Sequence, residues 1–430
     1  MPIERKPIER RFVPICTCVG AALTLAMPSS AQQQQGTPPS SLEELEKKIE
    51  ELKKQHESEI SDLRDEIDKL AEEAAAARVR SQTPAQQTLS VFNPAITVFG
   101  NFLYRSDDRP VYVDDDPLGA RVDDQFSLRE AEFDFRAPID PWADGVLIST
   151  LEADTPGDYT AGVEEGYVVL KKLPLLDSAP AGLKLKIGRF RPTFGRFNTI
   201  HLHDLPQMTY PRALQNFLGP EGFVADGISG EFFLPSPSEK DVLDVTAQVI
   251  DGGNIAVAPD RDSSDIASVL HLKWFRDLVP GQDLEVGASA WSSNAENQLY
   301  GADATYRWKP FVGGEWKSFL FGAEFFQADL ADGVHAEHPN GFDLWTQYQL
   351  DRNVYVGARY GQDDDLVDSS LVTHTIGAYV TYYTTEFLRF RVGLEHTDSD
   401  VAVLDGVDSA FFEMNFIYGS HPAEPYWVNR

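Results

Sequence analysis

One stretch of this chain gathers arginine and histidine. Between about residues 192 and 221 stand Arg196, His201, His203, Asp204, Tyr210 and Arg212, and Arg189 and Arg191 lead into it. A guanidinium stays charged at any working pH and holds an oxyanion through two parallel N–H donors. In a narrow passage with low-dielectric walls, such fixed charge lowers the barrier for anions. Arg189, Arg191, Arg196 and Arg212 therefore read as one wall of an anion-binding constriction. Arg129, Arg136, Arg389 and Arg391, together with Arg307 and Arg359, fall on polar faces elsewhere and supply an opposite wall. Lumen arginines also pair with acids such as Glu130, Glu132, Asp134 or Glu395, and a paired guanidinium adds little net field. His201-x-His203-Asp204 offers two imidazoles and one carboxylate on an irregular loop. That is a weak metal signal, and neither a metal nor another cofactor is expected. A hydrolase would need a Ser–His pair with an orienting group. Sequence spacing alone pairs none of the histidines with a particular serine, and the chain is not read as an enzyme.

The elements that would position these side chains alternate with period two from Ala95 onward. Tyr300, Ala302, Ala304, Tyr306 and Trp308 make one face of a segment; Gly301, Asp303, Thr305, Arg307 and Lys309 make the other. Helical spacing would mix the two sets, whereas a strand separates them. Strands are predicted near 95–105, 125–137, 145–154, 163–172, 183–191, 222–234, 242–251, 266–275, 283–292, 299–309, 317–327, 341–350, 353–361, 372–383, 386–397 and 410–419. Sixteen strands of about ten residues suit an all-β, antiparallel transmembrane β-barrel over 95–422. If the chain enters from the periplasm, connections 106–124, 155–162, 192–221, 252–265, 293–298, 328–340, 362–371 and 398–409 face out. The three longest connections obey that parity. Trp142, Trp274, Trp308, Trp316, Trp345 and Tyr383 lie at strand ends, where aromatic girdles sit. Asp114-Asp115-Asp116, Asp123-Asp124 and Asp363-Asp364-Asp365 read as solvated loop charge, because they lack the glycine and glutamate spacing of an EF-hand loop.

Composition agrees. The 430 residues carry 37 Lys+Arg against 68 Asp+Glu, a formal net charge of -31. That acid excess argues against nucleic acid as a partner. Past residue 30 no apolar run nears the roughly 18 residues of a spanning helix. Arg5, Lys6, Arg10 and Arg11, an apolar stretch from Phe12 to about Met27, and Ser29-Ser30-Ala31 read as a secretory signal peptide over 1–31. Both cysteines, Cys16 and Cys18, lie inside it, so the mature chain would have no thiol chemistry. A linker over 32–40 precedes Leu42, Leu45, Ile49, Leu52, Ile60, Leu63, Ile67 and Leu70, a 3,4 pattern with a stutter at His56. The pattern reads as an N-terminal coiled-coil helix over 41–80. A second linker, 81–94, and a C-terminal tail, 423–430, complete the organisation.

Leu183-Lys184-Leu185-Lys186-Ile187-Gly188-Arg189-Phe190-Arg191-Pro192-Thr193-Phe194-Gly195 resembles the core motif of the phosphate-selective porin O/P family. Val163-Glu164-Glu165-Gly166-Tyr167-Val168 is similar to its preceding strand, and Phe416-Ile417-Tyr418-Gly419-Ser420-His421-Pro422 to a closing strand with a short tail. The resemblance implies a sixteen-stranded homotrimer in the bacterial outer membrane, in contact with its lipid. It implies passive passage of small hydrophilic solutes, anions including phosphate among them, through a third outward connection folded into the lumen. The alternative is a structural barrel tethered by residues 41–80 to a periplasmic or cell-wall partner.

Overall fold

The computed structural model describes residues 47–48, 50, 53–54, 94–112, 121–122, 126–155, 158–173, 180–236, 238–252, 255–258, 265–293, 297–310, 316–331 and 336–419. The chain divides into two units, Met1–Thr83 and Pro84–Arg430. Of the first, Lys47, Lys48, Glu50, Lys53 and Lys54 are described, and all are helical. The rest of the predicted coiled coil, the signal peptide, most of both linkers and the C-terminal tail lie outside the described residues.

The second unit is a closed antiparallel barrel of sixteen strands. Its first half is β1 (Ala95–Asp107), β2 (Phe126–Asp140), β3 (Ala143–Thr155), β4 (Asp158–Leu170), β5 (Lys184–Phe190), β6 (Ala225–Leu234), β7 (Asp241–Asp251) and β8 (Ile266–Val279). The second half is β9 (Gln282–Ser293), β10 (Gln298–Trp308), β11 (Ser318–Ala331), β12 (Asn340–Asp351), β13 (Val354–Asp364), β14 (Val372–Thr385), β15 (Leu388–Ser399) and β16 (Val407–Gly419). Each strand pairs with its chain neighbours, and β1 closes the ring on β16, with Thr97 opposite Gly419 and Asp107 opposite Ser409. Closure leaves no edge, so every strand's backbone donors and acceptors find partners without water.

Every predicted strand is present. Several run further than the side-chain rhythm does. The expected connection 155–162 shrinks to residues 156–157, because β3 and β4 keep pairing past the membrane-length segment, Glu152 facing Thr160. Likewise β2 and β3 meet at Pro141-Trp142, and β8 and β9 at Pro280-Gly281. Backbone pairing continues through polar or small residues, where alternation carries no signal.

The barrel is polar inside and apolar outside. Ile96, Leu147, Leu151, Ile187, Ile228, Val249, Leu270, Tyr300, Phe321, Ile376, Val380 and Leu394 stand exposed, whereas Asn101, Glu132, Gln248, Asp303, Glu324, Gln347, Arg391 and Glu413 are buried. A water-soluble fold has the reverse polarity; a closed sheet with this one is built for a bilayer. Among the described residues no helix is long and apolar enough to cross a membrane. Two of the expected girdle residues have inward parity instead. Trp345 is buried against Phe197, with ring centroids 5.3 Å apart, and Tyr383 packs inward on Tyr355.

Two β-bulges break the alternation where it matters. Asn101 pairs with Glu130 and Phe102 with Leu128, so Arg129 is the extra residue of β2. Ile148 pairs with Glu165 and Ser149 with Val163, so Glu164 is the extra residue of β4. A bulge re-aims a side chain, and here each sends a charged residue into the lumen beside a neighbour that already points there.

Candidate pore constriction

The connection between β5 and β6, residues 191–224, folds into the barrel. It contains two single-turn 3-10 segments, Phe197–Thr199 and Leu202–Asp204, and a short helix, α1 (Arg212–Leu218). Its aromatic and aliphatic residues explain why it turns inward. Phe194, Phe197, Leu205, Tyr210, Leu214 and Phe217 are all buried, and they pack with inward-facing Trp291, Leu299, Phe326 and Trp345 of the wall. Phe217 stacks on Phe326 at 5.6 Å. Left in water, each of these side chains would forgo roughly 1.5–3 kcal/mol of burial.

The ends of the loop are fastened by polar bonds. Asn198 bridges them: its amide donates to Pro192 O (2.7 Å), and its carbonyl accepts from the Phe223 N–H (2.8 Å). Gly222, at φ +77°, leaves room for that bridge, since a Cβ there would lie 2.4 Å from Asn198 Oδ1. Gly195 N–H donates to Ser289 Oγ at 2.9 Å, and Glu324 accepts the amides of both Arg196 and Phe197.

Four of the arginines named from sequence, Arg129, Arg359, Arg389 and Arg391, grip this loop from the wall by its carbonyl oxygens. Arg391 donates to Leu205 O (2.8 Å) and Gln207 O (2.6 Å), Arg389 to His203 O (2.7 Å), and Arg129 to Met208 O (2.6 Å). All three surround Glu413, at 3.4, 3.1 and 3.1 Å. The structure thus brings Arg129, Arg389 and Arg391 together. Arg191 lies apart from them, paired with Glu164 and donating to Glu221 O at 2.5 Å. Arg196 pairs with Glu285 at 2.7 Å, and Arg136 with Asp134 at 2.8 Å. Arg189 shares the outward parity of Ile187 and bonds Val163 O and Asp226, so it stands away from the lumen cluster. Arg391 is completely buried, so it acts as a clamp and does not line water.

Arg212 reaches the open space. A cavity of about 470 Å³ lies between α1 and the strands β13, β15 and β16. Its lining includes Arg105, Thr209, Arg212, Gln215, Arg359, Glu395, Thr397 and Ser409. Arg359 donates to Thr209 O at 3.0 Å and pairs with Glu395. Arg105 pairs with Asp107 at 2.8 Å. The cavity therefore presents three guanidinium groups, each held by an acid or the loop, and a set of hydroxyls that solvate a polar solute.

Along the same strand as Arg129, a second cluster forms around the loop histidines. His201 Nε2 lies 2.9 Å from Glu165, and its Nδ1 lies 3.2 Å from both Glu132 and Glu164. His203 Nδ1 lies 3.2 Å from Glu132, and Phe99 stacks on its ring at 3.9 Å. Burial alone would lower the His203 pKa, but Glu132 and Asp204 outweigh it and raise it to about 9. His201 is likewise held well above its usual value, Glu132 and Glu164 overcoming burial. Sequence reasoning singled out the two histidines but not their glutamates as partners, nor Glu413 and Asn198. The out-of-phase Glu164-Glu165 doublet was the available signal. Elsewhere His271 and Ser289 do meet, at 2.9 Å, where Ser289 Oγ also accepts the Gly195 amide, and both residues are buried.

Comparison with known proteins puts this geometry in context. No protein-family model matches the chain. An uncharacterised protein of Aquifex aeolicus is 34% identical over 129 residues, 30% of this chain. The matched segment spans about a quarter of that relative's length. Among solved structures, OprB of Pseudomonas putida has a TM-score of 0.51 at 12% identity, over 78% of this chain and 96% of that one. The outer-membrane channel DcaP of Acinetobacter baumannii gives 0.49 at 10% identity over 76% and 97%. An anion-selective porin from Comamonas acidovorans gives 0.48 at 10% identity over 76% and 100%. The likeness to OprB is one of fold, a closed antiparallel β-barrel.

Proposed function

We propose that this barrel is an outer-membrane porin through which small hydrophilic solutes diffuse passively past the in-folded loop 191–224. The observation that carries the reading is the pairing of inverted polarity with that loop. The wall is apolar where lipid would touch it and polar where water would fill it, and the loop folds into that polar interior. Anions are favoured at the cavity because the guanidinium groups of Arg105, Arg212 and Arg359 line it with Glu395, while Asp107 and Asp363, which pair with Arg105 and Arg212, lie outside the lining, and low-dielectric walls focus the field of the groups nearest the solute. Eight lysines follow residue 90 and none of them lines this cavity, so the anion preference rests on guanidinium and extends beyond phosphate. The chain assembles as a homotrimer, as the O/P porin resemblance implies.

Single-channel recording in a planar bilayer tests the reading. A steady ohmic conductance is expected, with a reversal potential under a salt gradient that indicates anion preference. Arg105→Gln combined with Arg212→Gln should shift the reversal potential toward cations. A folded, heat-modifiable barrel that never conducts would overturn the porin function and favour a tether through residues 41–80. An unchanged reversal potential in the double variant would move the filter elsewhere.

A further inference from the structure

We infer that the cluster joining loop 191–224 to β2 and β4 is a binding site for a divalent transition-metal ion, with His201, Glu132 and Glu164 as ligands. The observation is a convergence of buried atoms that lack hydrogen bonds. Glu132 Oε2, Glu164 Oε2 and His201 Nδ1 each have none, although Glu132 is 2% exposed and polar atoms that deep are nearly always satisfied. Both oxygens lie 3.2 Å from His201 Nδ1, outside the common range for a charge-assisted N–H···O bond. Ligand atoms about 2.0–2.1 Å from a tetrahedral zinc lie about 3.3 Å from one another. The spacing fits a shared ion better than shared protons.

The surroundings are arranged as an outer coordination layer. His201 Nε2 is taken by Glu165 at 2.9 Å, which leaves Nδ1 as the free lone pair of the neutral ring; metal-bound histidines are oriented in this way. Arg191 engages the Oε1 atom of Glu164 and leaves Oε2 facing the histidine. A second triad, Glu130, Glu132 and His203, shares Glu132. Its Glu130 Oε2 and His203 Nδ1 also lack hydrogen bonds. Four carboxylates therefore crowd one buried spot, and a divalent charge would offset much of their repulsion. One imidazole with two carboxylates suits zinc or manganese. Such an ion would tie the loop to β2 and β4 on the same charged wall as Glu413, independently of whether the barrel conducts.

Zinc content of the detergent-folded full chain tests this. After loading with Zn²⁺ and desalting, the protein should retain one or two zinc ions per chain, two meaning that both triads fill. Cobalt-loaded protein should show the visible absorption of a low-symmetry nitrogen and oxygen site. Glu132→Gln, which keeps the side chain's shape, should abolish retention while the barrel still migrates as a folded, heat-modifiable species. Glu165→Gln should weaken zinc affinity by about 10–100-fold. His396→Gln, at the exposed His396–Asp408 pair, should retain zinc like the parent. No retained metal in the parent chain, or equal retention by folded Glu132→Gln, overturns the assignment.

Discussion

Loop 191–224 touches two kinds of wall, and they hold it by different physics. Toward β8 to β13 its main seat is an aromatic and aliphatic surface made of Trp291, Leu299, Phe326 and Trp345, with Ser289, Glu324 and Arg359 adding a few polar fastenings. Toward β1, β2, β4, β15 and β16 it meets Arg129, Arg389, Arg391, Glu413 and the histidine–glutamate cluster. The dry side supplies non-directional burial, which tolerates small slips. The charged side supplies directional bonds to specific carbonyls, which fix register. A constriction that sieves solutes needs both, because seating alone leaves its edge free to wander.

The largest expected effect comes from breaking the charged side at its centre. Arg391→Leu removes donors to Leu205 O, Gln207 O and Thr381 Oγ1 and leaves Glu413 buried with less positive charge around it. Loss of one partner from a buried charged network costs about 3–5 kcal/mol. Urea unfolding should register that loss, and limited proteolysis should cut within 191–224 before the barrel melts. If the loop stays as resistant as in the parent, the arginine clamp is not what holds it.

Cutting the dry side should cost somewhat less and look different. Leu214 is fully buried in α1 among aromatic neighbours, and Leu214→Ala should destabilise by about 3 kcal/mol through lost burial and a cavity. Because the arginine bonds remain, the loop should keep its register and the channel its ion preference. A changed reversal potential in this variant would erase the distinction between the two walls.

The two sides were unequally legible in the sequence. Alternation revealed the wall, since a lipid-facing apolar row against a lumen-facing polar row is what period two records. Arg389 and Arg391 were found this way, being in phase with each other and alternating with Leu388, Phe390 and Val392. The dry seat was not found. Trp345 looks like a girdle residue by type and position, and only the approach of Phe197 shows that it turns inward. The histidine cluster was half visible. His201 and His203 stood out on the loop, but a bulge at Glu164 supplies the partner that alternation would send to lipid. Bulges add one residue without changing composition, so the periodic signal passes over them.

The smallest effect separates the walls by titration. With metal removed by a chelator, His201 and His203 on the charged side have pKa values raised by their glutamates, His203 to about 9. A histidine raised above its unfolded value of about 6.5 stabilises the fold fully below that value. The contribution fades as pH rises through about 9. The chelated protein should therefore melt at progressively lower temperature between pH 6.5 and pH 9, and His203→Gln should flatten the slope. Leu214→Ala should shift every point down by the same amount, since nothing on its side titrates through the histidines. Added zinc should reverse the trend, because metal and protons compete for the same nitrogens and binding strengthens as the rings lose their protons. A melting curve indifferent to pH in the chelated parent would mean that Glu132 and Glu164 do not hold the two rings charged.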